Sequence, residues 1–260
     1  MTGPVQSLSA GTPQGPRAVL VHGMEDTWES WYPLVRLLPS HWQVSALDLP
    51  WRAGNDYGWR REATPRGWLE HGLAQLPEPP TLLVGHSFGA TAVLETLAGA
   101  DRLPAPAAVL AAPFYRPPGL PATWSVFERS RSNFDDIIRA GLDVRLGRRA
   151  EHLDPALRTH MVRMMSERIG PAGFLTLFEQ FLATAGFDLS RVDVPVLVLG
   201  GTTDPCLADG RAEALQRELP RGRVRLDDDY HHFCHVAQAA EVAAEICAFV
   251  DANHSEEMSA

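Results

Sequence analysis

The stretch TLLVGHSFGATAVL, residues 81–94, restricts the possible folds more than any other part of the chain. A short strand-like apolar run leads into Gly85-His86-Ser87-Phe88-Gly89 and continues at once as a helix. Strand and helix crowd each other at so tight a joint, and the flanking glycines relieve that crowding. Joints of this kind belong to βαβ units, in which helices cover the faces of a mostly parallel sheet. The turn lifts the serine hydroxyl above the sheet edge, and the next helix aims free amides and a positive dipole end at it. Gly-x-Ser-x-Gly between a strand and a helix is the pattern of a nucleophile elbow. Ser87 is the candidate nucleophile.

The flanking sequence repeats the strand–helix alternation. RAVLVHG (17–23), WQVSALD (42–48), PAAVLAAP (106–113), VPVLVLGG before Asp204 and GRVRLDD (222–228) read as strands. Their continuous apolar character fits burial on both faces. Segments 27–38, 64–76, 210–219 and 236–252 carry apolar residues at helical spacing. The implied fold class is α/β, a doubly wound, mostly parallel sheet. Residues 17–113 and 189–252 form its core, and 114–188, with helical segments that include 154–169 and 171–185 and with no strand, form an inserted lid over the C-terminal sheet edge. Open α/β folds place their sites at that edge. Residues 1–16 are expected to be disordered or to give at most a short edge strand at VQSLS, and 253–260 to be a disordered tail.

Composition excludes several classes of function. All 23 basic residues are arginine, which reads as codon usage, and the formal net charge is −9. An acidic chain without a clustered basic face is a poor partner for nucleic acid. Cys206, Cys234 and Cys247 have neither zinc-site spacing nor an even count. No run approaches the roughly 18 apolar residues of a membrane span, and the first residues lack the basic and apolar regions of a secretory signal. The expectation is a soluble, cytoplasmic protein acting on a small molecule, with no metal, no cofactor and no membrane or nucleic-acid partner.

A serine hydroxyl needs a base to become a nucleophile. Downstream of Ser87, Asp204 lies just past a strand, and His231, His232 and His235 lie between the last strand and the last helix. The order serine, acid, histidine suits a triad opening on one sheet edge. Asp227, Asp228 and Asp229 are nearer the histidines along the chain but read as a solvated turn. Asp48 reads as a turn cap, and His22 and His86 as packed or hydrogen-bonded beneath the loops. Spacing leaves the choice among the three downstream histidines open.

Several segments resemble the α/β-hydrolase superfamily over roughly residues 17–252. VLVHGMEDTWESWYPLVRLL resembles its His-Gly loop, VSALDLP the following strand, LVGHSFGA the elbow, PVLVLGGTTDP the acid strand and HHFCHVAQAAEVAAEI the histidine segment. The resemblance implies a Ser87–His232–Asp204 triad and an oxyanion hole from the amides of Met24 and Phe88. His231 departs from the glycine usual there, and Ala239-Ala240 stand where proline is usual before Glu241.

Three further residues are candidates for the substrate pocket. Glu25 follows the implied oxyanion residue, Trp51 lies in a polar loop on the active edge, and Phe114 opens the insertion. The insertion is rich in Phe and Met at helical spacing, including Trp124, Phe127, Phe134, Met164, Phe174 and Phe178, which read mainly as lid core. Together these features predict a serine hydrolase acting on an ester or thioester of a medium-sized, largely apolar molecule. A biosynthetic lyase or cyclase using the same triad is the alternative. A non-catalytic ligand-binding protein on the same scaffold is a minor one.

Overall fold

The computed structural model describes residues 4–101 and 103–257. Seven strands form one sheet: β1 (Val5–Ser9), β2 (Arg17–Val21), β3 (Gln43–Leu47), β4 (Leu82–His86), β5 (Ala108–Ala111), β6 (Val196–Gly201) and β7 (Gly222–Asp227). Their spatial order is β1-β3-β2-β4-β5-β6-β7. Every neighbouring pair is parallel except β1 with β3. The helices are α1 (Tyr32–Val35), α2 (Pro65–Leu73), α3 (Phe88–Gly99), α4 (Trp124–Leu146), α5 (Pro155–Ala183), α6 (Arg211–Glu218), α7 (Cys234–Ala237) and α8 (Ala239–Glu257).

Successive strand side chains point to opposite faces, so each apolar strand feeds two cores. Val19, Val21, Leu83, Val196 and Val198 pack on the α3 face, and Ala18, Leu20, Leu82, Val84, Leu197 and Leu199 on the α8 face. Helix α8 answers with Val242, Ala243, Ile246, Phe249 and Val250, a stripe at helical spacing. Helix α3 is buried along nearly its whole length, as expected for the helix that follows a central strand.

The elements differ from the sequence reading in four places. Segment 27–38 is not one helix but a 3-10 turn, Trp28–Trp31, followed by the single turn of α1. Pro33 there lacks an amide to extend the hydrogen-bond ladder backwards. Segments 154–169 and 171–185 join as α5, kinked at Gly170 (φ 61°, ψ −173°) ahead of Pro171. The last helical segment breaks into α7 and α8. Helix α8 runs to Glu257, past the expected start of the tail, and residues 258–260 lie outside the described ones.

Helices α4 and α5 enter between β5 and β6 and cover the C-terminal sheet edge. Phe134, Phe174 and Phe178 pack within this lid, whereas Trp124 is 79% exposed and Met164 51% exposed, so those two are not lid core. No helix among the described residues is long and apolar enough to cross a membrane.

Candidate active site

Ser87 has φ 50° and ψ −119°, a region that costs a non-glycine residue of order 1–3 kcal/mol. Its surroundings hold it there. The Ser87 amide donates to the Ala111 carbonyl at 2.8 Å, and the Thr91 amide donates to the Ser87 carbonyl at 3.0 Å. Gly89 makes the joint possible, because a Cβ there would stand 2.4 Å from the His22 carbonyl oxygen and 2.5 Å from that of Val21. Helix α3 can therefore press against the end of β2, which carries the His-Gly loop.

Asp204 and His232 reach the same point from the loops after β6 and β7. Asp204 sits in a turn closed by its amide donating to Gly201 at 3.1 Å. A Cβ on Gly201 would lie 2.0 Å from the Tyr230 carbonyl oxygen. Glycine there lets the loop before α7 come close enough to bring His232 onto Asp204. His232 Nδ1 lies 3.0 Å from Asp204 Oδ2, and His232 Nε2 lies 2.9 Å from Ser87 Oγ. With Nδ1 donating to the carboxylate, Nε2 is left as the acceptor for the serine proton. Burial raises the Asp204 carboxyl pKa, but the facing His232 imidazole and hydrogen bonds from His232 and Cys206 outweigh it and hold the group below its ordinary value. The Cys206 amide supplies one of those bonds, to Asp204 Oδ1 at 2.9 Å.

Above this hydrogen-bond chain lies a partly open cleft with a cavity volume of about 80 Å³. Its floor is Ser87 and His232. Ile137 from α4 and Leu177 and Phe181 from α5 roof it, and Met24 and Phe114 flank it. The amides of Met24 and Phe88 donate to no backbone acceptor among the described residues. Phe88 starts α3, so its amide is one of the free N-terminal donors of that helix.

The sequence profile of the alpha/beta hydrolase family matches residues 18–245. The chain belongs to that family. A curated relative, the (E)-2-((N-methylformamido)methylene)succinate hydrolase of Acinetobacter baylyi, is 22% identical over 92% of this chain and 91% of its own length. Among solved structures, a hydrolase from Oleispira antarctica superposes with a TM-score of 0.67 at 13% identity, covering 95% of this chain and 94% of that one. The enol-lactonase from Burkholderia xenovorans superposes with a TM-score of 0.63 at 16% identity, covering 95% and 96%.

Two pocket candidates occupy other places than expected of this alpha/beta hydrolase. Trp51 is 1% exposed and does not line the cleft. Its indole donates to the His22 carbonyl at 2.9 Å, its carbonyl accepts from the Glu25 amide at 2.9 Å, and its ring packs on Trp59 and Phe88. The flat ring supports the loop that carries Met24 from beneath. Glu25 does not face the substrate space either. Tyr57 donates to its carboxylate at 2.7 Å, and Arg168 Nη2 of α5 lies 2.7 Å from its other oxygen. Arg145 of α4 donates to the Glu25 carbonyl and lies 3.7 Å from Asp26. Glu25 itself has φ 58°. Both lid helices thus pin the strained loop that carries Met24.

His231 is exposed, while His235 is fully buried against Trp31 and His86 with no hydrogen-bond partner. His86 donates through Nε2 to the His232 carbonyl at 2.9 Å and so supports the base from behind. His22 takes the Leu49 amide on Nε2 at 3.1 Å and donates through Nδ1 to the Gly23 carbonyl at 2.8 Å. Asp26, His86 and His235 are a buried group of metal-ligating residue types, and Asp204, Cys206 and His232 are a partly buried one. In the second group the carboxylate and imidazole are already bonded to each other. In the first the two imidazole rings pack at a tilt of 38°, centroids 4.0 Å apart.

Burial lowers the pKa of His22, His86 and His235, taking His235 to about 4. These imidazoles are neutral in the folded protein and charge freely once it unfolds. The unfolded chain therefore binds more protons, and stability falls as pH drops from about 6.5 through about 4. For His235 alone the full shift is worth about 3 kcal/mol. The thermal midpoint should fall over this window, and His235→Phe should flatten the fall. An unchanged pH slope in that variant would contradict the assignment.

Proposed function

We propose that the protein is a serine hydrolase that cleaves an ester or thioester of a medium-sized, largely apolar molecule through an acyl-enzyme on Ser87. The observation that carries this reading is the continuous Ser87–His232–Asp204 hydrogen-bond chain beneath a lidded, mainly apolar cleft. Ser87 Oγ attacks the carbonyl carbon as its proton passes to His232 Nε2. Asp204 holds the imidazole with Nδ1 as donor and stabilises the imidazolium. The carbonyl π electrons move onto oxygen, where the Met24 and Phe88 amides receive the negative charge. The intermediate collapses, the C–O or C–S bond breaks, and His232 returns its proton to the leaving group. Water then repeats the sequence with His232 as base, releasing the acid and restoring Ser87.

The names of the relatives agree with bond hydrolysis: one is a hydrolase of a substituted succinate and one an enol-lactonase. We place the reaction in the cytoplasm, where Cys206, Cys234 and Cys247 remain free thiols.

A fluorophosphonate should label the protein at one site, in the peptide that contains Ser87. p-Nitrophenyl butyrate should give a burst of about one equivalent of nitrophenol, the kinetic mark of an acyl-enzyme. A protein that neither accepts the label nor shows ester turnover is not a serine hydrolase, and the elimination or cyclisation reading would then take its place.

A further inference from the structure

The cleft over Ser87 is apolar in most of its lining; besides Ser87 and His232 its polar lining comes from His86, Ser130, Asn133 and Arg211, and only Arg211 brings a guanidinium. Arg211, the first residue of α6, lines the cleft although the residue is only 8% exposed. A buried guanidinium normally has each donor engaged, because desolvating a cation is costly unless it is paired. Here only one nitrogen is committed. Nη1 donates to the carbonyls of Pro205 at 2.9 Å and Ala208 at 3.2 Å. Nε has no hydrogen-bond partner, and Nη2 donates to no protein acceptor among the described residues.

The one ion pair of Arg211 among the described residues, with Asp209, leaves the Nη2 side of the guanidinium unengaged. Asp209 Oδ2 lies 3.9 Å from Arg211 Nη1, on the side already committed, and 3.1 Å from Nη1 of Arg129 on α4. The face of the guanidinium lies over the Phe181 ring, 5.7 Å from its centroid. That contact fixes the plane of the group and supplies no acceptor in it. The unengaged pair, Nε–H and Nη2–H, is the side-on edge of the guanidinium. Nε is sealed from solvent, whereas Nη2 is not, so Nη2 is the free donor that a carboxylate oxygen in the cleft can reach.

We propose that Arg211 is a substrate-binding, specificity-determining residue, and that the substrate carries a free carboxylate on the same molecule as the ester or thioester. This rests on the serine-hydrolase reading of the cleft. The rest of that molecule lies against Phe114, Phe134, Leu177 and Phe181. The carboxylate supplies the acceptor that the fold withholds from Nη2. Nη1, tied to Pro205 and Ala208, holds the fork at a fixed place relative to Asp204, one residue before Pro205. Substrate charge is thereby registered against the triad.

The first test compares p-nitrophenyl hemiglutarate with p-nitrophenyl valerate, which share an acyl length and differ in the terminal carboxylate. The wild-type kcat/KM should favour the hemiglutarate at least tenfold, mainly through KM. In Arg211→Met the preference should vanish, and Arg211→Lys should keep part of it. The readout is the ratio within each variant, so a general loss from a shifted loop cancels. A ratio near one in the wild type, or an equal ratio in Arg211→Met, overturns the proposal.

A second measurement needs no turnover and no folded Arg211 variant. Thermal midpoints of Ser87→Ala protein are recorded with monophenyl glutarate and with its methyl ester. The acid should raise the midpoint and the methyl ester should not. Equal shifts, or none, overturn the proposal even where fluorophosphonate labelling succeeds. A shift with the acid alone upholds it even where labelling fails, and that failure then counts against the hydrolase reading only.

Discussion

Ser87→Ala should lower kcat by about six orders of magnitude, the loss that removing a triad serine produces, while leaving the fold in place. The change removes a single oxygen. Alanine keeps the same Cβ at φ 50°, so the backbone strain of the elbow is unaltered, and Gly89 still lets α3 approach the end of β2. The lost bond is the 2.9 Å contact to His232 Nε2. A neutral hydrogen bond contributes about 1 kcal/mol, so the thermal midpoint should move by only a few degrees. His232 keeps its bond to Asp204 and its backing from His86. A kcat within tenfold of the wild type would remove Ser87 as the nucleophile. A large drop in midpoint would mean that the serine is structural.

The elbow was readable because several local signals coincide in one short stretch: an apolar strand, two glycines and an apolar helix. Each has a physical requirement that the structure displays, from the positive φ of Ser87 to the missing Cβ of Gly89. The sheet was readable for a similar reason, since buried parallel strands are apolar on both faces. Asp204 was readable by position, at the end of a strand whose loop opens beside the elbow.

Side-chain direction in loops was not readable. Glu25 and Trp51 lie at the expected sheet edge, yet Glu25 turns to Tyr57 and Arg168, and Trp51 packs beneath the loop. Nothing in local spacing encodes a partner 143 positions away, as Arg168 is from Glu25. Arg211 was hidden differently. An arginine in GRAEALQREL looks like part of a solvated helix face. Only the fold shows that the first turn of α6 ends in the cleft. The length of α1 was misjudged because a tryptophan stripe at helical spacing also fits a 3-10 turn that buries Trp31. Periodicity reports which face is buried more reliably than which helix forms.

The histidines behind Ser87 provide the sharpest contrast. His232→Ala should lower kcat by about 10⁶-fold, close to the loss from removing the serine, because nucleophile and base act as a unit. His235→Ala should leave kcat within about tenfold and instead lower stability. The difference follows from what each ring touches. His232 bonds to Ser87 on one nitrogen and Asp204 on the other. His235 bonds to neither, and is wedged between Trp31, at 4.6 Å between centroids, and His86, at 4.0 Å. Truncating it opens a cavity, which costs about 2–3 kcal/mol at a buried site. Part of that is recovered, because an imidazole without hydrogen-bond partners no longer has to be desolvated. With about 1–2 kcal/mol left, a fall in the midpoint of roughly 2–8 °C is expected for a chain of this size. Fluorophosphonate labelling separates the two effects, since it needs Ser87 activated by its base and no substrate recognition. Labelling should be lost in His232→Ala and kept in His235→Ala. The reverse pattern would move the base three residues along the chain. It would also require the loop before α7 to turn over, withdrawing the His232 carbonyl from His86 Nε2, a bond that lies between the two histidines and belongs to the arrangement with His232 forward.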